Sequence, residues 1–170
     1  MKSENPMNFK QTSLKSIPNG WDAVRLIGYC DFIRGIEPGS KSYNREKKGV
    51  PFIRVGNVSA KIQELLYTTS EKVRLCSEND ILLTLDGSPG VVVKGYEGAY
   101  SSGIRKVVPK NDNVDKLYIY FILQTNLVQK IISKYTTGVT IKHAGKSLEH
   151  IIISLPPLPE QRKISRVLSK

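Results

Sequence analysis

Apolar residues in this chain come in short runs broken by turn formers up to about residue 110, and at helical spacing beyond it. The runs at residues 51–55, 81–85, 90–94 and 104–108 are rich in valine and isoleucine and bounded by Gly, Pro, Asn, Asp and Ser, which predicts short strands. Their spacing is irregular and no internal repeat is present. A helix is predicted after Asn111-Asp112-Asn113: Leu117, Tyr120, Phe121, Leu127, Val128, Ile131 and Tyr135 share one broad face. Asp115 suits its positive end and Gly138 its exit, and its aromatics are expected in the core. Residues 148–155 read as a further strand, closed by Pro156-Pro157.

The two ends carry separate signals. Residues 1–16 are polar and aperiodic, and are expected to form a loose leader. Order is expected from Ile17-Pro18-Asn19-Gly20-Trp21, with Trp21 as a core anchor. At the other end Pro159 fits a first helical turn, where a missing N–H costs nothing. Ile164, Val167 and Leu168 then begin an apolar stripe. About twelve residues make a marginal isolated helix, so this one is expected to dock on a partner or to start a longer helix. The division is therefore leader 1–16, main domain 17–157 and helix 158–170.

Composition narrows the class. The 170 residues, 39% of them hydrophobic, suffice for one folded domain. Lys and Arg number 26 against 15 acidic residues, a formal charge of +11 that attracts polyanions. A merely basic protein is the competing reading. No apolar run approaches the ~20 residues of a spanning helix, and the first residues lack the apolar core of a signal peptide. Cys30 and Cys76 then read as buried reduced thiols, and the chain is placed in the cytoplasm, away from membranes.

Catalytic motifs are scarce. Pro156-Pro157-Leu158-Pro159 lacks the amide and aromatic ring of an adenine-methylating loop. Asp86-Gly87-Ser88-Pro89-Gly90 lacks the lysine and hydroxyl of a phosphate loop and reads as a tight turn. His143 and His150 sit in no recognisable catalytic setting. Asp31, Glu46 and Lys48 have loosely the order of a metal-dependent nuclease, the one enzymatic alternative. The expectation is a non-catalytic chain that binds no cofactor and no metal.

Nucleic-acid features are stronger. Between Asp115 and Glu149 no acid occurs, while Lys116, Lys130, Lys134, Lys142 and Lys146 do. Inside that stretch, Thr140, Lys142 and His143 lie on a loop hinged at Gly138, with Lys146 just beyond, the hydroxyls and cations that meet phosphates. A second patch, Lys41, Arg45, Lys47 and Lys48, leads to Arg54 and Asn57, residue types that read guanine and adenine. Ser102, Arg105 and Lys106 form a third. Sequence alone leaves open whether the three converge. A protein-binding adaptor working through its last helix is the other alternative.

The segment Leu155-Pro156-Pro157-Leu158-Pro159-Glu160-Gln161-Arg162-Lys163-Ile164 resembles the junction that closes a target recognition domain in type I restriction-modification specificity subunits. Residues 17–21, 51–58, 79–90 and 137–143 resemble the family's opening, early strand, central strand and turn, and late loop, in the same order. The resemblance implies an α+β fold: a β-helix-like region of short strands, a helical C-terminal part, and the start of a long spacer helix. It implies reading one half of a split double-stranded DNA target, while modification subunits methylate adenine using S-adenosylmethionine and a restriction subunit cleaves. Such subunits usually carry two recognition domains. A second domain, or self-association through the helix bearing Ile164, Val167 and Leu168, is therefore an open question here.

Overall fold

A computed structural model of the chain describes residues 9–12 and 14–170. Strands β1 (Phe9–Thr12) and β2 (Lys15–Pro18) pair as an antiparallel hairpin. Then come β3 (Asp22–Arg25), β4 (Cys30–Arg34), β5 (Tyr43–Asn44), β6 (Val50–Ile53) and a single turn, α1 (Val55–Val58). Next are β7 (Leu66–Thr68), β8 (Leu75–Cys76), β9 (Ile81–Thr84), β10 (Val92–Val93), β11 (Gly98–Tyr100) and β12 (Ile104–Pro109). Helices α2 (Lys116–Leu123) and α3 (Asn126–Lys134) follow, then β13 (Ile152–Leu155) and α4 (Leu158–Leu168). This is the α+β class expected. Among the described residues no helix is long and apolar enough to cross a membrane.

One sheet, in the order β10-β9-β12-β4, lies at the centre, and all its pairings are antiparallel. Side chains alternate across a strand, and both faces of this sheet are covered. Ile81, Leu83, Val92 and Val107 point to a core completed by Tyr118, Ile119, Leu123, Val128 and Ile132 of α2 and α3. Leu82 and Ile104 point the other way, to a smaller core with Ile53, Val58, Cys76 and Tyr100. The second sheet, β5-β7-β6-β11-β8, covers that side. The pair β13-β3 adds Ile153 and Val24 to the helical side. The layers are thus helices, sheet, sheet. Burying one such large apolar side chain stabilises the fold by about 1.5–3 kcal/mol.

Several predicted elements change in detail. The strand expected at 51–55 ends at Ile53, because the Asn57 side-chain carbonyl oxygen accepts from Arg54 N (2.9 Å) and turns the chain into α1. The strand expected at 90–94 shortens to β10. The strand expected at 148–155 starts at Ile152, after a tight 3-10 segment, Gly145–His150. The single helix expected after residue 113 is two. Thr125 restarts it by capping α3, its hydroxyl accepting from Val128 N, and the break resets the helical phase. The buried residues are therefore Tyr118, Ile119, Leu123, Val128 and Ile132, while Leu127 is exposed. Of the leader, residues 1–8 and 13 lie outside the described residues, and 9–12 are paired in the hairpin. Trp21 is half-buried and is not a core anchor: its Nε1 donates to Glu160 of α4 (2.9 Å).

The joint of α4 with the domain is polar. Gln161 and Ser165 are its buried residues. The Gln161 side chain accepts from Asp115 N (2.8 Å) and donates to Pro156 O (2.8 Å) and Asn113 O (3.0 Å). Ser165 Oγ donates to Asp115 Oδ1 (2.7 Å), the same oxygen that caps α2 at Tyr118 N. Ile164 packs on the main core, whereas Val167 and Leu168 face outward. Gln161→Ala leaves buried polar groups unmatched and should cost about 2–3 kcal/mol in a urea titration. Val167→Ala should stay within about 0.5 kcal/mol of the parent in the same titration.

Candidate nucleic-acid interface

Asp86 opens the turn between β9 and β10, which Gly87 and Gly90 build with positive φ. Its carboxylate, 16% exposed, gathers two arginines and a histidine from three parts of the chain. Oδ1 meets His143 Nδ1 at 2.8 Å. Oδ2 lies 3.5 Å from Arg105 Nη2 and 3.9 Å from Arg34 Nη2. Arg34 and Arg105 are cross-strand partners on β4 and β12, so they point to the same side of the sheet. Burial pushes the Arg105 guanidinium down from its usual value, and the Asp86 charge opposes that.

The late loop closes onto this turn. Thr137 and His143 exchange backbone hydrogen bonds (2.9 and 2.7 Å), Gly87 N donates to Lys142 O (2.8 Å), and Ala144 N donates to Leu85 O (2.7 Å). Gly138 takes φ of 96°, and a Cβ there would sit 2.1 Å from Ile141 O. Residues 138–142 form a projecting tip on which Thr140, Ile141 and Lys142 are exposed and Val139 is fully so. Beside it a cleft of about 380 Å³ is lined by Glu37, Tyr43, Arg54, Asp86, Gly87 and Gly103. Lys61 reaches the same turn, its Nζ donating to Ser88 Oγ (2.9 Å). Arg105 thus pairs with Asp86, Arg54 lines the cleft beside it, and Lys142 is tied to the same turn through its carbonyl.

Other candidates are held within the protein. Asn57 Nδ2 donates to Ile62 O (3.1 Å) and Glu64 O (2.9 Å) while its Oδ1 caps α1, so its amide is not free to read an adenine. Arg105 is 11% exposed and donates to Ser102 O (2.7 Å). Ser102 donates from both N and Oγ to Glu37, which also accepts from Tyr43 Oη. Arg54 Nη2 donates to Glu64 O (3.0 Å), although the residue stays partly exposed. Lys106 follows Arg105 on β12 and so points to the opposite face, where it donates to Leu75 O (3.0 Å) and pairs with Asp80 (3.6 Å). Thr140, Lys142 and Lys146 are exposed, and their side chains make no hydrogen bond or ion pair among the described residues. The patches predicted to matter missed Arg34, whose side chain is 61% exposed, and Asp86 itself. Strand alternation could have separated Lys106 from Arg105; the cross-strand position of Arg34 needs the register.

The nuclease residues do not assemble. Asp31 lies on β4 paired with Lys110 (3.6 Å), and Glu46 follows β5 in the other sheet. Among the described residues no three His, Cys, Asp or Glu side chains gather. Both cysteines are free and buried, which pushes Cys30 up to about 12 and Cys76 up to about 11. Neither is a thiolate at neutral pH.

Against known families, residues 18–170 match the model of the type I restriction modification DNA specificity domain. The chain belongs to that family. It is 32% identical over 164 residues to the type I restriction enzyme MjaVIII specificity subunit of Methanocaldococcus jannaschii, covering 95% of this chain and 38% of that protein. It is 26% identical over 166 residues to the EcoBI specificity subunit of Escherichia coli, covering 91% of this chain and 33% of the relative. The crystal structure of the HsdS subunit from Thermoanaerobacter tengcongensis superposes with a TM-score of 0.71 at 26% identity, over 95% of this chain and 39% of that one. A structure of a type I restriction-modification assembly gives 0.73 at 24% identity and shares the fold. The specificity domain here thus spans about two fifths of the length of the first relatives it matches.

Asp80 does for the far side of the sheet what Asp86 does for the near one. It accepts from Ser77 N (2.9 Å) and pairs with Lys116 (2.9 Å) and Lys106 (3.6 Å). Burial acts to raise its pKa, and the Ser77 and lysine contacts outweigh that and hold it below the usual carboxylate range. Its contribution is complete above the unfolded value of about 3.9 and is lost as pH falls through the folded one. Asp80→Asn should therefore cost about 1–2 kcal/mol at pH 7, and the gap in melting temperature should close as a scan approaches pH 3.

Proposed function

We propose that this chain is a sequence-specific double-stranded DNA-recognition domain of a type I restriction-modification complex. It reads one half of a split target and directs adenine methylation and cleavage by partner subunits, with no catalytic site or cofactor of its own. The observation that carries the reading is the convergence at one end of the central sheet. The projecting tip with Thr140 and Lys142 lies beside Arg34, Arg54 and Lys61. Exposed cations meet phosphates and set position, and loop side chains in a groove supply preference.

In this reading Lys142, Lys146 and Arg34 take phosphates, while Thr140 and the partly exposed Arg54 are placed to reach base edges. Arg105, Asn57 and Ser102 support the surface from within, Lys106 stands apart from it on the opposite face, and His143 anchors the loop. The modification and restriction subunits, or a second recognition domain, engage α4 through the outward Val167 and Leu168. The setting is the cytoplasm, where the DNA is.

Two measurements test this. Methylation mapping in cells with and without the gene should reveal a split adenine-containing motif that depends on it; an unchanged methylome rejects the role. Lys142→Ala combined with Lys146→Ala should weaken binding to every duplex. It should also flatten the salt dependence by about 0.9 in slope for each phosphate no longer neutralised. An unchanged slope removes the loop from the interface, and DNA affinity that vanishes only when α4 is deleted would favour the adaptor reading.

A further inference from the structure

The recognition loop has little to steer it except its base. Its tip stands largely in solvent: Val139 is fully exposed and Ile141 more than half so. Backbone hydrogen bonds close residues 137–143 and attach Lys142 O to Gly87 N. Among the described residues, the only side-chain hydrogen bond from this loop to the central sheet and its turns is His143 Nδ1 to Asp86 Oδ1, at 2.8 Å. Asp86 is in turn held by Arg34 from β4 and Arg105 from β12. A carboxylate at this place repels a polyanion, so simple attraction to DNA gives no reason for it.

We propose that Asp86 sets the pose of loop 137–143 and is thereby a determinant of sequence preference that touches no base itself; this rests on the DNA-reading role proposed above. Linking the loop to two strands through one half-buried group fixes where Thr140 and Lys142 stand before DNA arrives. A loop without that link must be ordered at binding, which costs affinity for the correct site. It costs less for a random duplex, where phosphate contacts tolerate many poses.

Charge and pose then predict opposite signs for one substitution. Asp86→Asn removes a negative charge from the positive face, so affinity for a scrambled duplex should hold or rise. Preference for the mapped half-site over that duplex should fall by about tenfold, the scale of one mismatched base pair. His143→Leu, on the exposed loop, should lower the preference in the same direction. Because both act through one hydrogen bond, the double variant should be no worse than the more severe single one.

The experiment is fluorescence anisotropy on the full chain over a salt series, with circular dichroism to confirm folding. A folded Asp86→Asn chain whose preference stays within roughly twofold of the parent, or losses that multiply in the double variant, overturns the proposal. Should Asp86→Asn not fold, His143→Leu decides alone: retained preference overturns and reduced preference supports. A parent chain with no preference between the duplexes rejects the DNA-reading role itself, a result distinct from either.

Discussion

The central sheet has a core on each of its faces, and most of what this domain can do follows from that. A strand buried on both sides has room for a charged side chain only where the sheet ends or a counter-ion waits. On β12, Arg105 points to the helical face and Lys106 to the sheet face, and each meets an aspartate, Asp86 and Asp80 respectively. Neighbours in sequence are thus split between two tasks. Arg105 belongs to the surface around the late loop, and Lys106 belongs to the packing of β8 and α2.

The same arrangement explains how so basic a chain stays folded. Its few partly buried acids act as nodes. Asp86 takes two arginines and His143, and Asp80 takes two lysines, while Asp115 caps α2 and accepts from Ser165 of α4. Like charges that would repel inside the fold are neutralised there. The lysines left over, Lys142 and Lys146 among them, stand in solvent without partners among the described residues. The excess of positive charge is therefore a property of the surface, where a polyanion can meet it.

Much of the scaffold was legible in the sequence, because β9 and β12 carry dense valine, isoleucine and leucine runs bounded by turn formers. The family junction was legible too, through its run of prolines followed by Glu160-Gln161-Arg162. The single long helix was not: Thr125 looks like an ordinary polar position until its hydroxyl is seen capping α3. The docking face of α4 was equally hidden, since periodicity weighs apolar residues and Gln161 and Ser165 carry the joint by hydrogen bonds. At the candidate site, Lys142 and Thr140 were visible as exposed loop groups. The internal engagement of Asn57 and Ser102 was not, because hydrogen-bond partners distant in the chain leave no local trace.

The polar joint and the late loop stand at opposite ends of β12. Thr84 pairs with Ile104 near the Asp86 turn, and the chain leaves Pro109 toward Asp115 at the far end. Six extended residues measure about 20 Å, and a strand hydrogen-bonded on both edges neither stretches nor bends easily. A joint built from directional hydrogen bonds also resists slippage, because rotating α4 by one residue would misalign the Gln161 and Ser165 bonds together. The domain is in effect a ruler: α4 is held at a set distance and bearing from the loop at residues 137–143.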